Sequence, residues 1–222
     1  MKLSDFVINY LARLGVTRVF GISGGAAVHL LDSVSHHPEI EYVCSQHEQS
    51  SAISADGYAR TTGLLGVAIT TSGPGATNLL TGVCCSYYDS VATLMLTGQV
   101  ATHRLKGDRA VRQVGFQETD VVSIFSPVTK YAYQITNANE IRYHLEKAVH
   151  IANEGRPGPV LLAIPDDLQR VDIDPDQLSS FVPPERSAVI LDDEIEELVK
   201  RISRSKRPVL IVGGGLSTPR IE

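Results

Sequence analysis

The run "LGVAITTS", residues 65–72, is apolar at consecutive positions, and that continuity restricts the fold more than any other feature of the chain. A strand with one wet face alternates apolar with polar residues, whereas a continuous apolar strand is covered on both faces. Helical and extended segments alternate around it. A helix capped by Ser4, with Phe6, Tyr10, Leu11 and Leu14 on one side, ends at Gly15 and leads to the strand "RVFGI". "SGGAAVHLLDSV" turns into a helix, "IEYVCS" is a strand, and "EQSSAISADGYART" is a helix closed by Gly63. Beyond residue 72, "GPGATNLLTGVCCSYY" gives a loop and helix, and "ATLMLTG" and "TKYAYQI" are strands. "NANEIRYHLEKAVHIANEG" is a long helix and "PVLLAIP" a further strand. This rhythm predicts an α/β domain, an open parallel sheet with helices on both faces.

After Pro165 the texture changes. The stretch "DDLQRVDIDPDQLSSFVPPERSAVI" is polar, carries Pro175, Pro183 and Pro184, and has no sustained period. It reads as a linker between a first domain at 1–167 and a second region at 189–222, with residues 168–188 connecting them. The second region holds an amphipathic helix, "LDDEIEELVKRISRSK", and an apolar strand running into Gly213, Gly214 and Gly215. One helix and one strand cannot bury their own apolar faces, so this region is expected to be the opening of an incomplete Rossmann-like domain.

The formal charge of −5 offers no basic stripe for nucleic acid. No apolar run approaches a membrane span, and the amino terminus reads as an amphipathic helix rather than a signal sequence, so a cytoplasmic protein is expected. Cys44, Cys84 and Cys85 are odd in number and form no C-x-x-C, which predicts buried free thiols rather than disulfides or a zinc site.

Four features are candidates for chemistry. In "GISGGAAVHLL", Gly24 and Gly25 lie at a strand-to-helix turn where backbone N–H groups can approach an anion; glycine there also serves purely steric needs. "TTSGPGATN" is a second such turn, at the carboxyl end of a parallel strand where open α/β sheets place ligands, and equally reads as a loop fixed by Pro74. The polar connection 98–120 carries His103, Arg104, Lys106, Arg109 and Arg112, a functional loop or a solvated face. The fourth is Glu48, a carboxylate between a strand end and a packed helix. A helix amino terminus stabilises it by roughly 0.3–2 kcal/mol, whereas burial of the charge costs several. A buried Glu48 would therefore have a raised pKa unless a ligand shares its proton, and a surface cap is the alternative.

Taken together, "HEQSSAISADGYAR", "TTSGPGATNLLTG", "YYDSVATLMLTGQV", "FQETDVV", "TKYAYQI" and "GRPGPVLLAIPDDLQ" resemble the acetolactate synthase group of thiamine diphosphate enzymes. The resemblance implies that residues 1–167 bind the aminopyrimidine of thiamine diphosphate and that the second region begins a middle domain. Glu48 would hydrogen-bond a pyrimidine ring nitrogen and favour the imino tautomer, with Pro74, Gly75 and Asn78 lining the pocket. Gly24 and Gly25 would approach cofactor and substrate across a subunit interface. Phe116 and Gln117 would face the substrate, Gln117 as a further catalytic residue, and Gln99 is a weaker cofactor contact. Arg156, Gly213, Gly214 and Gly215 match positions that contact FAD in the family. The implied reaction is decarboxylation of a 2-keto acid such as pyruvate and addition of the two-carbon unit to a second carbonyl. Simple decarboxylation, oxidation, or transfer to a keto sugar are the alternatives. Mg²⁺ and the diphosphate would be held by a domain outside this chain, in a homodimer or homotetramer with shared active sites, so the fragment alone is expected to be inactive. Two departures stand out. Ser23 replaces the proline usual in the first glycine turn, and the segment between Gln99 and Phe116 is longer than the family pattern.

Overall fold

The computed structural model describes residues 1–185, 192–211 and 213. Its strands are β1 (Arg18–Gly21), β2 (Glu41–Cys44), β3 (Gly66–Thr70), β4 (Thr93–Gln99), β5 (Tyr131–Gln134) and β6 (Val160–Pro165). They form one parallel sheet in the order β2-β1-β3-β4-β6-β5. The main helices are α1 (Leu3–Arg13), α2 (Val28–His36) and α3 (Glu48–Thr62). They are followed by α4 (Pro74–Thr77), α5 (Leu80–Asp89), α6 (Val121–Phe125), α7 (Ile141–Asn153) and α8 (Asp166–Gln169).

Two cores explain the continuous apolar runs. On one face Val67, Ile69, Leu94, Leu96, Leu162 and Ile164 meet Leu3, Val7 and Leu11 of α1, Leu30 of α2 and Ile141 and Leu145 of α7. On the other, Ala68, Met95, Leu161 and Ala163 meet Ala52 and Ala55 of α3, Val83 of α5 and Phe125 of α6. Successive side chains of a strand point to opposite faces, so a strand covered twice is apolar at every position.

The second face is assembled from small residues, and backbones come close. A Cβ on Gly66 would stand 2.0 Å from the Ala55 carbonyl oxygen, and one on Gly82 would stand 2.4 Å from Ala52 Cβ. Helix α3 therefore lies directly on β3 and α5. Asp56, buried between α3 and α5, accepts hydrogen bonds from Arg60 Nε (2.5 Å) and Ser86 Oγ (2.8 Å), while Arg60 also reaches Asp89. A buried carboxylate persists only with such partners. The helix ends at Gly63 in the left-handed region, φ 72°.

Several expectations are corrected. Ser4 is not a cap: α1 starts at Leu3, and Ser4 is buried, accepting a hydrogen bond from Ser33 Oγ at 2.8 Å. The thiols are not buried, because Cys44 ends β2 and is exposed, Cys85 is exposed on α5 and Cys84 is half-buried. The first compact unit runs to Phe181 instead of ending at 167. Residues 168–181 fold back onto it: Leu3 N–H bonds the Val171 carbonyl, Ile173 and Leu178 are buried, and Phe181 meets the Tyr143 and His150 rings. Isolated apolar residues without a period do this packing, so the polar composition conceals it.

The second unit, from Val182, contains α9 (Asp192–Arg204), whose Ile195, Leu198, Val199 and Ile202 are exposed. Of the strand expected after it, the described Val209, Leu210 and Ile211 are exposed and in no strand. Gly214 and Gly215 lie outside the described residues. No helix among the described residues is long and apolar enough to cross a membrane.

The contact of β3 with α3 gives a direct test. Gly66→Ala drives a methyl group into the Ala55 carbonyl, and the expected loss is at least about 2 kcal/mol in urea unfolding, where an ordinary exposed Gly→Ala change such as Gly57→Ala in α3 is neutral or stabilising.

Candidate active site at the carboxyl edge of the sheet

Because every strand runs in the same direction, the segments that leave β1, β2, β3 and β4 all emerge at one edge. They carry, in turn, Gly24 and Gly25, Glu48, the turn 71–78, and the connection from Gln99 to Gln117. The topology thus gathers candidates separated by up to ninety-odd positions in the sequence.

Glu48 is the first residue of α3, placed by His47, whose Nδ1 caps the helix by accepting the Gln49 N–H at 3.1 Å. Asn78 Nδ2 donates to Glu48 Oε2 at 2.8 Å. Oε1 accepts no hydrogen bond from the described residues, and a Cβ on Gly75 would lie 3.4 Å from it. The glutamate is half-buried rather than buried, with its partner Asn78 exposed. A carboxylate held by one oxygen, with the other unbonded among the described residues, has an acceptor that can share a proton with a ligand in a fixed direction.

Thr71 joins the two glycine turns, a role that sequence reasoning missed. Its Oγ1 accepts the Ala26 N–H at 3.2 Å. A Cβ on Gly24 would stand 2.4 Å from Thr71 Cβ, and one on Gly75 would stand 2.5 Å from Thr71 Cγ2. These two glycines are thus needed for approach to a side chain, whereas Gly25 has nothing within 4 Å of its Cβ position and is open to a ligand or neighbour. Threonine at a strand end is too common to have carried this signal alone.

Gly73 has φ 59°, and a Cβ there would stand 2.8 Å from both Cβ and the carbonyl oxygen of Gln117. This contact sets the turn 73–78 against Phe116–Gln117. Pro74 and Phe116 are exposed, Phe116 at 82%, and Gln117 is half-buried with φ 64°. His103, Arg104, Arg109 and Arg112 lie exposed on the connecting loop, which matches a solvated basic face.

Gln99 is at the same edge but buried, with its amide engaged internally. Its Nε2 donates to the Thr119 carbonyl (2.9 Å) and to Gln134 Oε1 (3.2 Å), and its Oε1 accepts the Val100 N–H. Arg156 is not in the cluster. It precedes β6 at the opposite edge, donating to Ser90 Oγ (2.6 Å) and the Tyr88 carbonyl (3.1 Å). Gly213 belongs to the second unit and is exposed.

A parallel sheet with a half-buried glutamate and two glycine turns at its carboxyl edge is an α/β domain with its candidate site where open sheets place ligands. Residues 1–124 match the model of the thiamine pyrophosphate enzyme family, N-terminal TPP binding domain, and the chain belongs to that family. The acetolactate synthase large subunit of Lactococcus lactis subsp. lactis is 38% identical over 216 residues, covering 96% of this chain and 36% of that protein. The acetolactate synthase large subunit of Corynebacterium glutamicum is 40% identical over 219 residues, covering 95% and 33%. A probable acetolactate synthase large subunit of Methanocaldococcus jannaschii is 37% identical over 224 residues, covering 97% and 36%. The chain spans about a third of the length of these curated relatives.

Thr71 makes a sharp double-mutant prediction. Gly75→Ala collides with Thr71 Cγ2, which Thr71→Ala removes, while Gly24→Ala collides with Thr71 Cγ2 and Oγ1 at 2.8 Å, which Thr71→Ala removes, and more severely with Thr71 Cβ at 2.4 Å, which it retains. In thermal or urea unfolding, the 75/71 pair should therefore show a coupling of about 1 kcal/mol or more in the relieving direction, and the 24/71 pair a distinctly smaller one.

Proposed function

We propose that this chain is the aminopyrimidine-binding part of a thiamine diphosphate-dependent carboligase of the acetolactate synthase type. Its substrate would be a 2-keto acid such as pyruvate, whose two-carbon unit passes to a second carbonyl. The observation that carries the reading is Glu48, tied to Asn78 by one carboxylate oxygen and free at the other, at the carboxyl edge of a parallel sheet. Family membership and the acetolactate synthase relatives support it.

The residues present suit an aminopyrimidine: Glu48 Oε1 offers an acceptor for a ring nitrogen and its proton, and the exposed Pro74 and Asn78 beside it leave that side accessible. Bound thiamine diphosphate supplies the electron sink that a decarboxylating carboligation requires. Glu48 holds and returns a proton at the ring nitrogen through Oε1, and Asn78 fixes the carboxylate through Oε2. Phe116 and Gln117 face the substrate. A second copy of the chain covers the exposed edge, giving a homodimer or homotetramer, and Mg²⁺ with the diphosphate is held outside this chain. FAD would be met at Arg156 and residues 213–215 by likeness to the family, with Arg156 engaged within the first unit.

The exposed Arg104, Arg109 and Arg112 favour a second reading, in which the acceptor carbonyl belongs to a larger anionic molecule such as a keto sugar joined to a nucleotide. Product analysis separates the readings. The protein carrying this chain, supplied with pyruvate, thiamine diphosphate and Mg²⁺, is expected to form acetolactate. Acetaldehyde or acetate as the sole product points to decarboxylation or oxidation instead, and turnover only with an anionic sugar acceptor supports the second reading. Glu48→Gln should lower kcat by about 100-fold or more, and an unchanged rate would overturn the proposal.

A further inference from the structure

The connection between β4 and α6 is long, yet it is tied down at several places. Thr102 at its start donates through both its backbone N–H (3.0 Å) and its hydroxyl (2.6 Å) to the Asp167 carboxylate. Gln99 holds its far end through the Thr119 carbonyl. Across the middle, one carboxylate closes the loop. Glu118 accepts the Lys106 N–H on Oε1 at 2.6 Å, and the Val114 and Gly115 N–H groups on Oε2 at 2.7 and 3.3 Å.

That closure surrounds an unusual turn. The Glu118 N–H returns to the Gly115 carbonyl at 3.1 Å, so Gly115, Phe116, Gln117 and Glu118 form a β-turn with Gln117 at its third position and φ 64°. A positive φ there is the demand of a type II turn, which glycine or asparagine normally meets. Glutamine in that conformation persists when its surroundings over-determine it. Gly73 closes on Gln117 from one side, and Glu118 binds the two residues that precede Phe116. Burial by itself would raise the Glu118 pKa, but the three backbone donors, with Lys106 nearby, outweigh it and hold the carboxyl below its ordinary value.

We infer that Glu118 is a positioning residue: its carboxylate gathers the amides of Lys106, Val114 and Gly115 and thereby fixes the pose of Phe116 and Gln117 beside the glycine turn at Gly73. The inference deepens the proposed reading, in which Phe116 and Gln117 face the substrate. Charge and reach are both required. A glutamine at 118 has the same shape but turns an NH2 donor toward amides that are themselves donors. An aspartate keeps the charge and withdraws it by one methylene.

The chain contains no tryptophan, so Phe116→Trp installs a single fluorescent reporter at the tip of the turn. In that background Glu118→Gln is expected to lower the steady-state anisotropy and raise acrylamide quenching of the tryptophan. Trypsin cleavage after Arg104, Lys106, Arg109 or Arg112 should become about tenfold or more faster, as loss of hydrogen bonds to a charged group implies. Circular dichroism should show the fold retained. Asp108→Asn, on the same loop, is the control and should change neither signal. If Glu118→Gln unfolds the chain, Glu118→Asp provides the same comparison. Unchanged anisotropy and cleavage in a folded Glu118 variant would overturn the inference. None of these signals requires cofactor or keto acid, so failure of the carboligase reading and failure of the positioning role are separately visible.

Discussion

The hydrogen-bonded ladder of β3 between β1 and β4 is the constraint from which the rest follows. Parallel pairing of these strands sends their carboxyl ends to a single edge, and crossover helices must then cover both faces. The two cores and the clustering of Gly24, Glu48, Gly75 and Gln117 are consequences of the same geometry. Even the tight seat of α3 depends on it, because Gly66 at the start of β3 admits the Ala55 carbonyl and so fixes where Glu48 at the head of that helix lies.

Around that edge the protein uses few strong polar contacts, two joining segments remote in sequence and one closing a loop on itself. Asn78 orients Glu48, Thr71 joins two glycine turns, and Glu118 closes the loop between β4 and α6. The division of labour is physical. Apolar burial supplies most of the stabilisation but no direction, whereas hydrogen bonds to carboxylates fix orientation at a modest net gain. Glu48 differs from Asp56 in this respect. Asp56 is buried and engaged by Arg60 and Ser86, but Glu48 is half-buried and keeps one oxygen available. One is fully engaged by the fold, and the other leaves an acceptor open at the edge of the sheet.

Sheet class and element order were legible because they depend on local pattern. A doubly covered strand must read as an apolar run, and strand-to-helix turns with close backbone approach require glycine. Less legible features depend on distant partners. Ser4 reads as a cap and is instead a buried partner of Ser33; the cysteines read as core and lie at a strand end and on a helix surface. Gln99 is engaged by Thr119, Gln134 and its own neighbour, contacts that no local pattern signals. The polar stretch after Pro165 reads as linker to residue 188, but it packs as far as Phe181 through apolar residues that have no period.

The sequence by itself determined that the chain forms a parallel α/β domain with Glu48 at a strand-to-helix junction, because burial on two faces and glycine at tight turns leave their mark residue by residue. Only the tertiary structure decided which Glu48 oxygen Asn78 holds, that Gly24 and Gly75 both pack against Thr71, and that Arg156 stands at the opposite edge of the sheet. Those outcomes rest on side chains from separate elements meeting within a few ångströms, and no local pattern records such a meeting.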